Sequence, residues 1–145
     1  MNNYKIYVIT FIVTALWDII LRNMSENYDN LPTFFQMDFI KYLQGYFNKH
    51  TLLSAAMVAG FVGASSQVLI LYFHKIPNNS NTLLTFMLLT FIVSALYGFF
   101  IKESKLFPHL VNNYYDKLGV QRSMYLDGVS GLITQVSVLS LIFFN

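Results

Sequence analysis

TFIVTALW at residues 10–17 returns as TFIVSALY at residues 90–97, identical at six of eight positions, with Thr exchanged for Ser and Trp for Tyr at the other two. An apolar octamer copied 80 residues along the chain points to a repeated unit rather than to one aqueous core. A second match lies at a shift of 68. YFNK at 46–49 faces YYDK at 114–117, and Gly60, Gly63, Gln67 and Val68 face Gly128, Gly131, Gln135 and Val136. The two shifts differ by 12 residues, which places one insertion in the first half, around Met24 to Leu31.

The solvent for this unit follows from composition. Of 145 residues, 55% are hydrophobic and 11% are charged, whereas a soluble domain carries roughly 25% charged residues. Residues 51–73, 76–101 and 128–145 contain no Asp, Glu, Lys or Arg, and about 20 apolar residues in a helix cross ~30 Å of hydrocarbon. Residues 4–22 form a fourth apolar stretch, interrupted only by Lys5 at its start and by Asp18 and Arg22 near its end. Helices are therefore expected at about 4–22, 51–73, 82–101 and 123–144. Pro32, Pro77 and Pro108 all lie outside them, where they interrupt nothing. The first span has the position of a secretory signal, but no small-x-small cleavage site follows it. The recurrence of its sequence in mid-chain argues that it is retained.

Between the spans of each half lies a shorter amphipathic segment. Phe107, Leu110, Val111, Tyr114, Tyr115 and Leu118 follow helical spacing, with His109, Asn112, Asn113, Asp116 and Lys117 on the other face. Phe39, Tyr42, Leu43, Tyr46 and Phe47 take the matching places in the first half. Aromatics in short amphipathic helices favour the headgroup level. The expected architecture is an all-α integral membrane protein of one domain, residues 1–145, with four transmembrane helices. It consists of two parallel repeats of span, interfacial amphipathic helix and span, about 4–73 and 82–144, related by pseudo-twofold symmetry. Two spans per unit return the chain to the same side, which makes the repeats parallel. Basic residues set the orientation: Arg22, Lys41 and Lys49 in one long connection and Lys102, Lys105, Lys117 and Arg122 in the other, against Lys5 and Lys75 opposite. Both long connections are expected in the cytosol and both termini on the far side.

Ala56, Gly60, Gly63 and Gln67 are spaced 4, 3 and 4, and so are Met124, Gly128, Gly131 and Gln135. Each set occupies one helical face. Small residues there allow close helix approach, and an amide in hydrocarbon needs a partner. The two glutamines are expected either to bond to each other near the pseudo-twofold axis or to line a polar path, so these positions are helix-packing or pore-lining candidates. Asp18 and Asp127 are the acids within spans, and intramembrane acids are functional candidates. Asp18 lies four residues from Arg22 and Asp127 five from Arg122, so snorkelling or local pairing also accounts for them.

No metal or cofactor is expected. The chain has no cysteine, which excludes thiol catalysis and thiolate ligands, and His50, His74 and His109 lack helix-face ligand spacing. No arrangement of nucleophile, base and orienting group is present, so the chain is not expected to be an enzyme. A formal charge of +2 is too small to mark a nucleic-acid binder. The expected partners are the lipid bilayer and either further copies of the chain or an assembly partner.

The plan of span, amphipathic helix and span is shared with mitochondrial carriers. Those have three repeats and a Pro-x-Asp/Glu-x-x-Lys/Arg signature that WDIILR at 17–22 lacks. ALWDIILR at 15–22, ENYDNLPTFF at 26–35 and KHTLLSAAMVAGFVGA at 49–64 resemble small multi-pass membrane proteins of large nucleocytoplasmic DNA viruses, uncharacterised in function. That resemblance implies a membrane protein of the virion or infected cell and carries over no activity. The expected function is structural or in assembly, with the amphipathic helices on the membrane surface or on a partner. The rival reading is a small channel or transporter with Gln67 and Gln135 near its axis.

Overall fold

A computed structural model describes residues 3–36, 52–103 and 120–144. Four long helices account for most of them: α1 (Asn3–Glu26), α2 (Leu52–Phe73), α3 (Ser80–Glu103) and α4 (Val120–Phe144). Each contains a stretch long and apolar enough to cross a membrane, Asn3–Leu21, Ala56–Phe73, Ser80–Ile101 and Met124–Phe143. The chain is thus all-helical in its described residues, an architecture compatible with a multi-pass membrane protein.

Helix ends run beyond the expected spans where nothing opposes it. α1 continues past Leu21 to Glu26 because none of the intervening residues is a helix breaker. It then gives way to short 3-10 turns at Tyr28–Asn30 and Thr33–Phe35, with Pro32 between them. At the α2–α3 turn, helix begins at Ser80, ahead of the expected start at about residue 82, because Asn79 caps it. The Asn79 side-chain oxygen accepts the Thr82 backbone N–H at 3.0 Å, leaving one fewer unsatisfied donor in the first turn. The amphipathic segments expected at 39–47 and 107–118 lie outside the described residues.

The helices form a four-membered ring. α1 packs chiefly on α2 and α3 on α4, with further contacts between α1 and α4 and between α2 and α3. α2 and α4 therefore sit diagonally across the centre. Unlike a water-soluble bundle, this one has apolar outer faces and several polar side chains among the apolar ones inside. Thr10, Ser66, Gln67, Thr90 and Gln135 are buried, while Val8, Ile12, Leu16 and Ile20 form an outward stripe 44–53% exposed. Leu84, Leu88, Ile92, Leu96 and Phe100 form another on α3, 45–65% exposed. Apolar stripes of this length in contact with water would promote association; in hydrocarbon they are the solvated face.

Close approach within each helix pair depends on glycine. A Cβ on Gly63 would collide with the Thr14 side chain, and one on Gly131 with the Ser94 side chain. A Cβ on Gly60 would lie 2.9 Å from the Phe11 carbonyl oxygen, and one on Gly128 2.6 Å from the Phe91 ring. Dispersion between closely packed backbones is a principal attraction between helices in lipid, where apolar burial gains little. Gly131→Val is accordingly expected to force α3 and α4 apart and to destabilise the fold by about 1–3 kcal/mol. Val136→Phe, on an outward position of the same helix, should be close to neutral. Reversible unfolding in mixed micelles distinguishes the two.

Candidate functional site

The centre of the bundle is a layer of four polar side chains, one from each helix. Gln67 on α2 donates from Nε2 to Oε1 of Gln135 at 2.7 Å, and Gln135 on α4 donates back from Nε2 to Oε1 of Gln67 at 2.8 Å. The second N–H of each amide reaches a threonine hydroxyl. Gln67 donates to Thr10 Oγ1 at 3.2 Å and Gln135 to Thr90 Oγ1 at 3.1 Å. Each threonine passes its own proton down its helix, Thr10 to the Ile6 carbonyl at 2.8 Å and Thr90 to the Phe86 carbonyl at 2.9 Å.

The donor count closes. A primary amide has two N–H donors and a hydroxyl one, so all six side-chain protons of the layer have an acceptor inside the protein. The glutamines are 2% and 3% exposed. One turn toward the chain termini, Ile6, Ile70, Phe86 and Val138 close the bundle, each 2% exposed or less. On the other side lie the glycine contacts and the buried Val13, Ala56 and Ala95. At this level the two glutamines are bonded to each other.

Gly60, Gly63, Gly128 and Gly131 all take part in helix packing, as the contacts above show. The acids lie elsewhere. Both are half-buried, and Asp127 rests against Gly98, where a Cβ would come within 2.5 Å of the carboxylate Oδ2. They do not join the amide layer. Among the described residues no group of three or more His, Cys, Asp or Glu side chains is placed to hold a metal ion. A cavity of about 480 Å³ lies between the ends of α3 and α4 near the α2–α3 turn, against Pro77, Asn78, Leu83, Met87, Leu139 and Phe143. Neither glutamine lines it.

Sequence reading overlooked two parts of the site. Thr10 and Thr90 complete the amide layer, and their signal was present: each is the first residue of the repeated octamer. Trp17 donates from Nε1 to Ser137 Oγ at 2.9 Å, joining α1 to α4 across 120 residues. Nothing in local spacing announces that bond. The glutamines are 68 residues apart and the threonines 80, the two shifts at which the sequence matches itself.

Removing one glutamine leaves the other amide with its threonine bond but without a partner for its oxygen and second N–H. Gln67→Leu and Gln135→Leu are each expected to destabilise the fold, and Gln67→Leu/Gln135→Leu to cost less than their sum. The expected coupling is about 0.6 kcal/mol and at most ~1.7 kcal/mol, the mean and the maximum for hydrogen bonds between membrane helices, where the unfolded chain also finds partners. A double-mutant cycle measured in bicelles checks it.

Comparison of the sequence with protein-family models and curated proteins, and of the fold with solved structures, finds no match.

Proposed function

We propose that the protein is a four-span membrane protein with a structural or assembly role rather than a catalyst or a conduit, and that it is one two-span unit written twice. The observation that carries this reading is the closed amide layer. A path for ions or polar solutes needs groups free to exchange water for solute, and this layer directs all its donors at the protein itself. A channel or transporter built around Gln67 and Gln135 would have to break the seam at its most tightly bonded level.

The internal repeat is supported by how contacts recur at the two shifts. Thr10 pairs with Gln67 as Thr90 does with Gln135. Gly63 meets Thr14 as Gly131 meets Ser94, and Gly60 meets Phe11 as Gly128 meets Phe91. Ile6, Ile70, Phe86 and Val138 are likewise two equivalent pairs. A pseudo-twofold axis along the membrane normal then passes between the two amides. On this reading the basic connections are cytosolic and both termini lie on the opposite side. The amphipathic segments grip the membrane surface or dock a partner such as a capsid or scaffold layer, in keeping with the resemblance to viral membrane proteins.

Two measurements test the role. Liposomes containing the protein should show no ion or solute flux above protein-free liposomes, and Gln67→Leu/Gln135→Leu should leave flux unchanged; flux altered by that substitution would favour the transport reading. Co-purification of partners from infected or expressing cells should be lost when Tyr114 and Tyr115 are both changed to Ala. Indifference to those changes would count against docking through that face.

A further inference from the structure

The amide layer leaves Asp18 and Asp127 without an assigned role. Position by position the halves disagree about them, since Asp18 aligns with Gly98 and Asp127 with Ala59. The packing register gives a different correspondence. Along the α3–α4 seam, Thr90 meets Gln135, Ser94 meets Gly131 and Gly98 meets Asp127. Each step is four residues forward on α3 and four back on α4. Along the α1–α2 seam, Thr10 meets Gln67 and Thr14 meets Gly63, and the next step of the same register sets Asp18 opposite Ala59. Each seam thus has one carboxylate and one small residue at its third level. The acid comes from the first helix of the pair in one half and from the second in the other.

We propose that Asp18 and Asp127 are one positioning group in two copies, a seam carboxylate whose carrier helix has changed and which pins the membrane depth of each helix pair. The proposal rests on the reading of the chain as two helix pairs that cross a bilayer. Eight residues of helix separate each acid from the amide layer, about 12 Å, and the amide layer falls near the middle of the four spans. In a hydrocarbon layer ~30 Å thick, both acids then lie near the edge on the side of the long connections. At that depth a carboxylate is within reach of headgroup water as well as of its protein contacts, and displacement toward the centre is costly. The reciprocal amide bonds require the two pairs to stay level, because a slip of one helical turn, about 5.4 Å, would separate amides bonded at 2.7 and 2.8 Å. One acid per pair at one depth opposes that slip. The small residue opposite gives the carboxylate room, as Gly98 does for Asp127.

Trp17 adjoins Asp18 and is the single tryptophan of the chain, so its fluorescence measures the depth of α1 in this 145-residue chain. In liposomes of phospholipids brominated at successive acyl carbons, Asp18→Asn is expected to shift the strongest quenching of Trp17 toward bromines nearer the bilayer centre. Asp18→Gly/Ala59→Asp, which gives the α1–α2 seam the residue pair of the α3–α4 seam, should return it to the wild-type position. An unmoved Trp17 in Asp18→Asn, or a relocated acid that fails to restore the depth, overturns the anchor. If Asp18→Asn does not insert, Asp18→Gly is compared with Asp18→Gly/Ala59→Asp: insertion recovered only with the relocated acid supports the proposal, and equal behaviour of the two overturns it. A wild-type Trp17 quenched by none of the lipids would instead overturn the membrane-spanning reading, and the anchor with it.

Discussion

An amide in hydrocarbon has no water to bond to, so its partners must come from the protein, and Gln67 and Gln135 find them in each other and in two threonines. The unsatisfied alternative costs several kcal/mol for each group in an apolar medium, more than any one apolar contact in the bundle supplies. The rest of the architecture is arranged to make this pairing possible. Both glutamines belong to helices that sit diagonally in the ring, so they meet only if all four helices draw close to one axis. Gly63 and Gly131 permit that approach, and the threonines are on the neighbouring helices at the same level.

This arrangement also separates specificity from adhesion. Leu, Ile, Val and Phe on the outer faces gain little from facing each other rather than lipid, so they cannot decide which helix meets which. Hydrogen bonds can, because they fail when the register is wrong. Outside the central layer Ser137 also accepts the Trp17 indole N–H across α1 and α4, but as donors several hydroxyls make no such choice. Thr14, Ser65, Ser66, Ser137 and Ser140 each donate to the carbonyl four residues earlier on their own helix, which satisfies the proton locally and places no condition on a neighbour.

Much of this was legible in the sequence, for identifiable reasons. Charge-free runs located the four helices because the cost of an ion in hydrocarbon is large and local. The Gly–Gly–Gln stripe located the packed faces because helical period fixes which residues share a side. The stripe did not determine whether the amides pair or line a path, since that depends on how far apart two helices stand, a property of tertiary packing. Thr10 and Thr90 escaped notice because a threonine in an apolar helix ordinarily bonds to its own backbone. These do so as well, while accepting an amide proton. The contact of Asp127 with Gly98 was hidden by alignment itself, which compares helix with equivalent helix and never across a seam.

The two halves of the ring are not joined in the same way, and this gives meaning to a difference present in the repeated octamer. α2 and α3 are tied by a short turn through residues 74–79, so their meeting requires little loop-closure entropy. α1 and α4 have no such tether and meet only through side chains. It is here that Ile6, Val13 and Val138 form one apolar cluster, with Trp17 packed against it, and that the Trp17 indole N–H bonds to Ser137. Under the proposed duplication the counterparts of that pair are Tyr97 and Leu69, and a leucine side chain accepts no hydrogen bond. The bond therefore exists only at the untethered face. The change from Tyr to Trp between the two copies thus falls where a broader side chain whose N–H donor is fixed in the ring plane can do what the connecting turn does on the opposite side.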